Sequence, residues 1–279
     1  MTPEEKLDAL KNFLKNLHSD YVIVGYSGGV DSTFLAFVAY KTLGFDRVIA
    51  ITVKHPFITE EEVNDASNIA RALGLKHVIV RLEDFDNKKI WNNPPDRCYL
   101  CKKNIFRHIM NFVVQNKLGI HNYVILDATN ASDVDKTLKI PNYRPGIKAL
   151  KELNIKSPLA EVGLTKEEIR ILSKELGLPT WNKPSSPCLA TRIPYNMNIT
   201  LEKLERIKKA EDLVKDITKA EVLRVRDHEL IARIEVGRNE RKKIFDENIM
   251  DKLHTELRKL GYRFVVLDLY GYQEGAFDQ

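Results

Sequence analysis

Tyr21-Val-Ile-Val-Gly-Tyr-Ser-Gly-Gly-Val-Asp-Ser-Thr33 is the stretch on which the reading of this chain turns. The apolar run Tyr21–Tyr26 predicts a strand, and the amphipathic run Thr33–Tyr40 predicts a helix. Between them, Ser27-Gly-Gly-Val-Asp-Ser32 forms a glycine turn that opens into the helix start. Two glycines let the backbone bend tightly. The first helical amides, with the Ser27 and Ser32 hydroxyls, can then close around a phosphate. The loop lacks the Gly-Lys-Ser/Thr ending of a Walker loop and the third glycine of a dinucleotide fingerprint, so it is an anion cradle of another kind.

Outward from this turn, strand-like runs at Tyr21–Tyr26, Val48–Val53, His77–Leu82 and Tyr123–Asp127 alternate with helical periods at Asp31–Leu43, Glu60–Leu73 and Cys98–Lys117. Such alternation implies right-handed βαβ units and a parallel sheet. Ligands bind at the carboxyl ends of parallel strands, so Ser27–Ser32 and the segments after Val53 and Leu126 are expected to share one crevice. Thr59 with Glu62 and Thr165 with Glu168 spell capping boxes, with Gly74 and Gly177 as the matching stops; these helices are read as structural. From about Thr200 the pattern changes to a helix Leu201–Val214, a hairpin Glu221–Arg226 and Leu230–Val236, further helix, and a last strand near Arg263–Leu269. The expected organisation is a parallel-sheet α/β domain at 1–178, a proline-rich active-site loop at 179–199, and a smaller α+β domain at 200–279.

Composition is that of an ordinary folded protein: 279 residues, 43% hydrophobic and 30% charged, enough for two cores. No apolar run approaches the ~20 residues of a membrane span, and Met-Thr-Pro-Glu-Glu opens a charged helix, not a signal peptide, so a cytoplasmic protein is expected. The net charge of +5 is spread along the chain with no polybasic tail or arginine-aromatic interleaving, which suits an anionic ligand and argues against a dedicated RNA-binding arm.

The three cysteines argue for metal or reactive-thiol chemistry over a disulfide framework. Cys98 and Cys101 stand at i and i+3 near a helix start, followed at once by Lys102 and Lys103, where the helix dipole and the cations favour thiolates. A C-x-x-C pair alone fits zinc, a redox dithiol, two iron–sulfur ligands or two cysteines without a role. Cys188, far along in the proline-rich loop, fits a cluster with one open iron, or a catalytic cysteine beside an unrelated pair. A closed zinc site would need His108 or His121 as its fourth ligand. In the second half, Arg224 and Arg226 alternate with Leu223 and Val225, giving one apolar strand face and one with two guanidinium groups.

The spelling S-G-G-x-D-S resembles the pyrophosphate loop (PP-loop) of ATP pyrophosphatases, which cut ATP between its α- and β-phosphates and activate a substrate as an adenylate. The runs Asp127–Asp135, Tyr143–Leu150, Ser157–Glu161, Leu176–Pro184, Cys188–Pro194 and Val225–His228, taken with that loop, are similar in order to the LarE family of ATP-dependent sulfur transferases over nearly the whole chain. The resemblance implies a PP-loop (adenine nucleotide alpha hydrolase-like, Rossmann-like) fold. It implies adenylation of a carboxylate of a pyridinium dicarboxylate mononucleotide, and replacement of AMP by sulfur.

Within that family, one branch sacrifices the sulfur of the cysteine matching Cys188, leaving dehydroalanine. Another holds a [4Fe-4S] cluster on three cysteines. Cys98, Cys101 and Cys188 match the cluster branch. The resemblance further implies ATP and phosphate contacts from Ser27, Gly28, Gly29, Val30, Asp31, Ser32, Asp127, Thr129 and Asn130. It implies Mg²⁺ or loop orientation by Asp31, charge neutralisation by Lys102 and Arg192, and a substrate-phosphate site at Arg224 and Arg226 with Glu211 beside it and Asp227 a less secure member. Cys188, Asp31 and Glu211 are the expected catalytic residues. Sulfide or another sulfur donor, a carboxylated nucleotide or small metabolite as acceptor, and a homo-oligomer, trimer or hexamer, complete the expectation. The rival readings are a tRNA thiolation enzyme, for which no RNA-binding module is visible, and a non-catalytic nucleotide- or zinc-binding module.

Overall fold

The computed structural model describes residues 1–82, 88–115, 120–139, 146–184, 187–273 and 275–277. The end of the expected helix at 116–117, the run 143–145 and Ser185–Ser186 of the proline-rich loop lie outside the described residues. In chain order the elements are α1 (Pro3–Lys15), β1 (Tyr21–Gly25), α2 (Val30–Leu43), β2 (Val48–Lys54), α3 (Glu60–Ala72), β3 (His77–Arg81), α4 (Lys88–Trp91), α5 (Arg97–Gln115), β4 (Tyr123–Leu126), α6 (Ala131–Lys139), α7 (Gly146–Glu152), α8 (Pro158–Glu161), α9 (Lys166–Glu175), α10 (Leu201–Thr218), β5 (Leu223–His228), β6 (Ile231–Val236), α11 (Glu247–Lys259) and β7 (Phe264–Leu267). Two compact units result, Met1–Asp86 with Asp96–Ser186, and Asn87–Pro95 with Pro187–Gln279.

The first unit is an α/β fold on a four-stranded parallel sheet in the order β3-β2-β1-β4. β1 is central because Val22, Ile23 and Val24 are all apolar and all buried, as a strand covered on both faces requires. α2 is buried over most of its surface through Val30, Phe34, Leu35, Ala36, Val38 and Ala39, and packs with Leu10 and Leu14 of α1 and Ile169 and Leu172 of α9 in one core. Each Val, Leu, Ile or Phe among these contributes about 1.5–3 kcal/mol by leaving water. The chain runs from β1 through β2 to β3 on one side and returns to β4 on the other, so the gap between β1 and β4 is the topological switch point. Both expected capping boxes are present: Thr59 Oγ1 accepts from Glu62 N and Thr165 Oγ1 from Glu168 N, each glutamate reaching back to its partner's amide.

The second unit is a smaller mixed sheet, β5 antiparallel to β6 and β6 parallel to β7, with α11 as the crossover. Leu223, Val225, Ala232, Ile234 and Val236 form its inner face, packed with Ala210 and Val214 of α10 and Leu253 and Leu257 of α11. The segment Asn87–Pro95 joins this unit through Asn196 N donating to Asn93 O and Ile199 N to Trp91 O, both 2.8 Å. Asn93 is wholly buried and its amide donates to the Ile193 and Pro194 carbonyls. Among the described residues no helix is long and apolar enough to cross a membrane.

His55, directly after β2, has its imidazole pulled down from 6.5 to about 4 by burial. The unfolded chain therefore takes up a proton near 6.5 that the folded chain refuses until about pH 4, so stability from the neutral ring is whole above 6.5 and lost as pH falls toward 4. Unfolding free energies from denaturant titrations across this window should fall more steeply for the wild type than for His55→Gln, by up to about 1.4 kcal/mol per pH unit. Parallel slopes would contradict the assignment.

Candidate active site

In the first unit the cradle forms where β1 must turn into α2. Gly28 has φ of +68°, and a Cβ there would meet the Ala66 Cα of α3 at 2.7 Å, so glycine is required on both conformational and packing grounds. Gly29 caps α2 without a side-chain bond. The Ser27 and Ser32 hydroxyls lie 3.1 Å apart, and Ser27 N donates to Ser32 Oγ at 3.2 Å. Ser27 is exposed at the loop's tip while Gly28, Val30 and Ser32 are buried.

Asp31, in the first turn of α2, has one carboxylate oxygen paired with the Lys166 ammonium at the start of α9. Its other oxygen, Oδ1, is buried without a hydrogen-bond partner among the described residues. Burial raises the Asp31 carboxyl above its usual range against the pull of Lys166. An orphaned carboxylate oxygen beside a phosphate cradle is the donor type that Mg²⁺ takes, so this residue fits the metal that the loop implies.

On the other side of the switch point, Asp127 follows β4 directly. It is buried, pairs with Lys102 Nζ at 2.9 Å and accepts from Thr129 N at 2.8 Å. Burial alone would raise its carboxyl, but the Lys102 charge and the Thr129 bonds outweigh that and hold it below the usual carboxylate range. Lys102 also reaches Thr129 Oγ1 at 3.4 Å. Asn130 is buried and caps α6, its Oδ1 accepting from Asp133 N at 3.1 Å. Cys98 and Cys101 lie on the first turn of α5, Cys98 exposed and Cys101 half-buried, with an Arg97 guanidinium N–H 3.8 Å from Cys98 Sγ.

Cys188 belongs to the second unit, a half-buried thiol at the entry to a single 3₁₀ turn, Leu189–Arg192. Its segment is held from one side by Arg192, whose guanidinium donates to the Pro187 carbonyl at 2.6 Å and the Cys188 carbonyl at 3.2 Å. The same side chain grips Glu211 of α10 with two bonds of 2.8 and 2.9 Å. Arg192 therefore positions the cysteine segment and neutralises Glu211 together.

Along β5 the predicted alternation holds: Leu223 and Val225 are in the core and Arg224 and Arg226 face the other way. Arg226 is only 4% exposed, not solvated; it pairs with Glu235 at 2.8 Å and donates to the Thr191 carbonyl at 2.8 Å. Arg224 stacks on Tyr272, and burial, with Arg192 nearby, lowers its guanidinium from the ordinary value. Arg233, opposite Arg226 in register, also pairs with Glu235. Four arginines (192, 224, 226 and 233) thus stand with Glu211, Glu235 and Asp268, the last 3.8 Å from Arg233 Nε, which leaves one positive charge in excess for an anion such as a phosphate monoester. Asp227 is not part of this face. Strand alternation turns it inward, where it is 1% exposed and bound by Arg206 and the Tyr262 hydroxyl. Trp181 lies under the Lys174 ammonium and His228 against Phe277, both as packing groups.

The expected residues thus fall into two sets by unit, with Cys98 and Cys101 in the first and Cys188 in the second. Among the described residues no group of three or more His, Cys, Asp or Glu side chains is gathered to hold a metal ion. As donors, three thiols of which none is fully buried match an iron–sulfur cluster in kind. Two loop partners, Lys166 and Lys183, carry no role in the reading by motif, although Lys183 lies within the run Leu176–Pro184. Lys166 follows a capping threonine and Lys183 precedes a proline, positions where lysine carries no local message.

The sequence profile described as NAD synthase matches residues 3–135, the span of the sheet and both halves of the switch point. With the cradle at Ser27–Ser32, this makes the chain an ATP-using enzyme of the PP-loop class. The chain is 38% identical over 276 residues to an uncharacterized protein of Synechocystis sp., covering 99% of this chain and 98% of the relative. An uncharacterized protein of Methanocaldococcus jannaschii is 31% identical over 271 residues, 96% and 98% of the two chains. The pyridinium-3,5-bisthiocarboxylic acid mononucleotide synthase of Lactiplantibacillus plantarum is 33% identical over 258 residues, 92% of this chain and 88% of that one. The chain belongs to the family of that synthase, the LarE family.

Removing Arg192 leaves Glu211 with the Val225 amide, 3.1 Å away, but without its paired cation, and releases the Pro187 and Cys188 carbonyls. Arg192→Ala should lower the unfolding free energy by about 3 kcal/mol or more, with Arg192→Lys recovering only part because it lacks the fork. A loss below about 1 kcal/mol in denaturant unfolding would contradict the anchoring role.

Proposed function

We propose that the protein adenylates a carboxylate of a pyridinium dicarboxylate mononucleotide and replaces AMP with sulfur. The observation that carries this is the pairing of a PP-loop at the switch point with full-length kinship to a synthase of a pyridinium bisthiocarboxylic acid mononucleotide. A carboxylate is a poor acyl donor because its oxygen does not leave. In the first step a carboxylate oxygen attacks the α-phosphorus of ATP, the bond to the bridging oxygen breaks, and pyrophosphate departs with the electron pair. The amides of Gly29 and Val30 and the hydroxyls of Ser27 and Ser32 hold the departing phosphates. Asp31, through its buried oxygen, would hold Mg²⁺, which when bound would supply positive charge to offset that of the phosphates. Asp127, Thr129 and Asn130 line the nucleotide side, with Lys102 offsetting phosphate or carboxylate charge.

In the second step a soft sulfur nucleophile attacks the acyl carbon, the carbon–oxygen bond breaks, and AMP leaves with the electron pair. The product is a thiocarboxylate. Arg224 and Arg226 receive the phosphate of the mononucleotide, and Glu211 completes that site through its pairing with Arg192. Cys98, Cys101 and Cys188 are the three thiolates that would hold a [4Fe-4S] cluster, which when bound supplies an exchangeable sulfide on its open iron. In this reading the protein works in the cytoplasm as a homo-oligomer, a trimer or hexamer, and takes its sulfur from sulfide or another donor.

The test is an anaerobic incubation of the metal-analysed protein with ATP, Mg²⁺ and the carboxylated pyridinium mononucleotide, followed by masses of product and protein. The expected result is thiolated product with AMP and pyrophosphate, iron in the protein, an unchanged protein mass, and no product from Cys188→Ala. A loss of ~34 Da, hydrogen sulfide leaving as cysteine becomes dehydroalanine, would replace the cluster with sacrifice of the Cys188 sulfur. Zinc without iron would overturn the cluster, and undiminished product from Cys188→Ala would overturn both routes.

A further inference from the structure

Lys183 has no part in the chemistry above, yet its ammonium touches the cradle. Its Nζ donates to the Gly28 carbonyl at 2.9 Å and forms an ion pair with Asp65 of α3. The backbone that carries it is fixed by Arg170 of α9, whose guanidinium donates to the Trp181 carbonyl at 2.6 Å and the Lys183 carbonyl at 2.7 Å. Asp65 is the neighbour of Ala66, the residue against which Gly28 is pressed at its positive φ. Gly28 is therefore held from two directions, by α3 packing and by a charged hydrogen bond from a segment 155 residues away in sequence.

The geometry of the peptide unit turns this contact into an effect on the phosphate side. Among the described residues no peptide bond is cis, and in a trans peptide the C=O and the following N–H point in opposite directions. Fixing the Gly28 carbonyl toward Lys183 aims the Gly29 N–H the other way, where Gly29 is half-exposed and its N–H makes a long bond of 3.4 Å to the Ser27 hydroxyl, one that a phosphate oxygen can replace. A charged donor on the carbonyl also polarises the amide and strengthens its N–H as a donor. We infer that Lys183, oriented by Asp65, is a positioning residue for the cradle: it aims and polarises the Gly28–Gly29 peptide so that the Gly29 amide grips the ATP polyphosphate. This rests on the reading of Ser27–Ser32 as the ATP phosphate site.

The test compares binding of ATP, pyrophosphate and adenosine to the full chain by calorimetry, alongside the amide spectrum of the nucleotide-free protein. Lys183→Met should weaken ATP and pyrophosphate roughly tenfold or more, leave adenosine unchanged, and move the Gly29 amide nitrogen resonance upfield; Lys183→Arg should restore most of the affinity. If Lys183→Met loses its cooperative melt, Asp65→Asn carries the same test, since it keeps the ammonium but removes its orienting carboxylate and should weaken ATP selectively. ATP affinity within twofold of wild type in the folded variants, or equal losses for adenosine and ATP, would overturn the assignment. Failure of the wild-type chain to bind ATP at all would overturn the cradle reading instead, and this inference with it.

Discussion

Everything in the first unit depends on one tight turn, the passage from β1 to α2 through a glycine at φ +68° pressed onto Ala66. A strand covered on both faces ends there, and a buried helix begins within a few residues. The amides between them have no intrahelical partners. Ser27 N and Gly29 N instead make long bonds of 3.2 and 3.4 Å to the Ser32 and Ser27 hydroxyls, bonds that an anion can replace, and the parallel sheet delivers them to its carboxyl edge, where ligands enter. Asp31 and Lys166, Asp127 and Lys102, and Lys183 and Asp65 are three ion pairs arranged around that turn. Each places a cation close to where phosphate charge would gather and balances it with a carboxylate.

The second unit solves a different problem, how to keep several arginines close together out of water. Arg192 and Arg226 are nearly fully buried, and like charges at that density require compensation. Glu211 and Glu235 supply it in part, and the C-terminal aromatic side chains Tyr272 and Phe277 cover the guanidinium faces. What is left is a positive excess on one sheet face, beside a cysteine whose carbonyl is tied to the same network. Packing and the proposed chemistry thus fall to the same side chains, Arg192 among them as the anchor of the Cys188 segment.

Much of this was legible from local pattern. The alternation of apolar runs and helical periods marks every strand of both sheets to within about two residues, because burial on both faces or on one leaves different periodicities. Two capping boxes announce themselves by Thr and Glu three apart. The C-x-x-C pair falls on a helix start, as its spacing suggested. What local pattern cannot carry is contact between distant segments. Lys166 and Lys183 reach the cradle across 135 and 155 residues. The segment Asn87–Pro95 joins the second unit through backbone bonds to residues near 196 and 199, with no local mark of that partnership. Asp227 sits in a motif yet belongs to the core, because strand alternation decides its face and motif membership does not.

The central claim is that the cradle at Ser27–Ser32 splits ATP between its α- and β-phosphates to activate a carboxylate. Exchange of labelled pyrophosphate into ATP, measured with the carboxylated pyridinium mononucleotide present and sulfur withheld, tests it most directly. The account predicts exchange that requires the carboxylate and Mg²⁺ and is abolished in Asp31→Asn. Release of ADP and inorganic phosphate without exchange would contradict it.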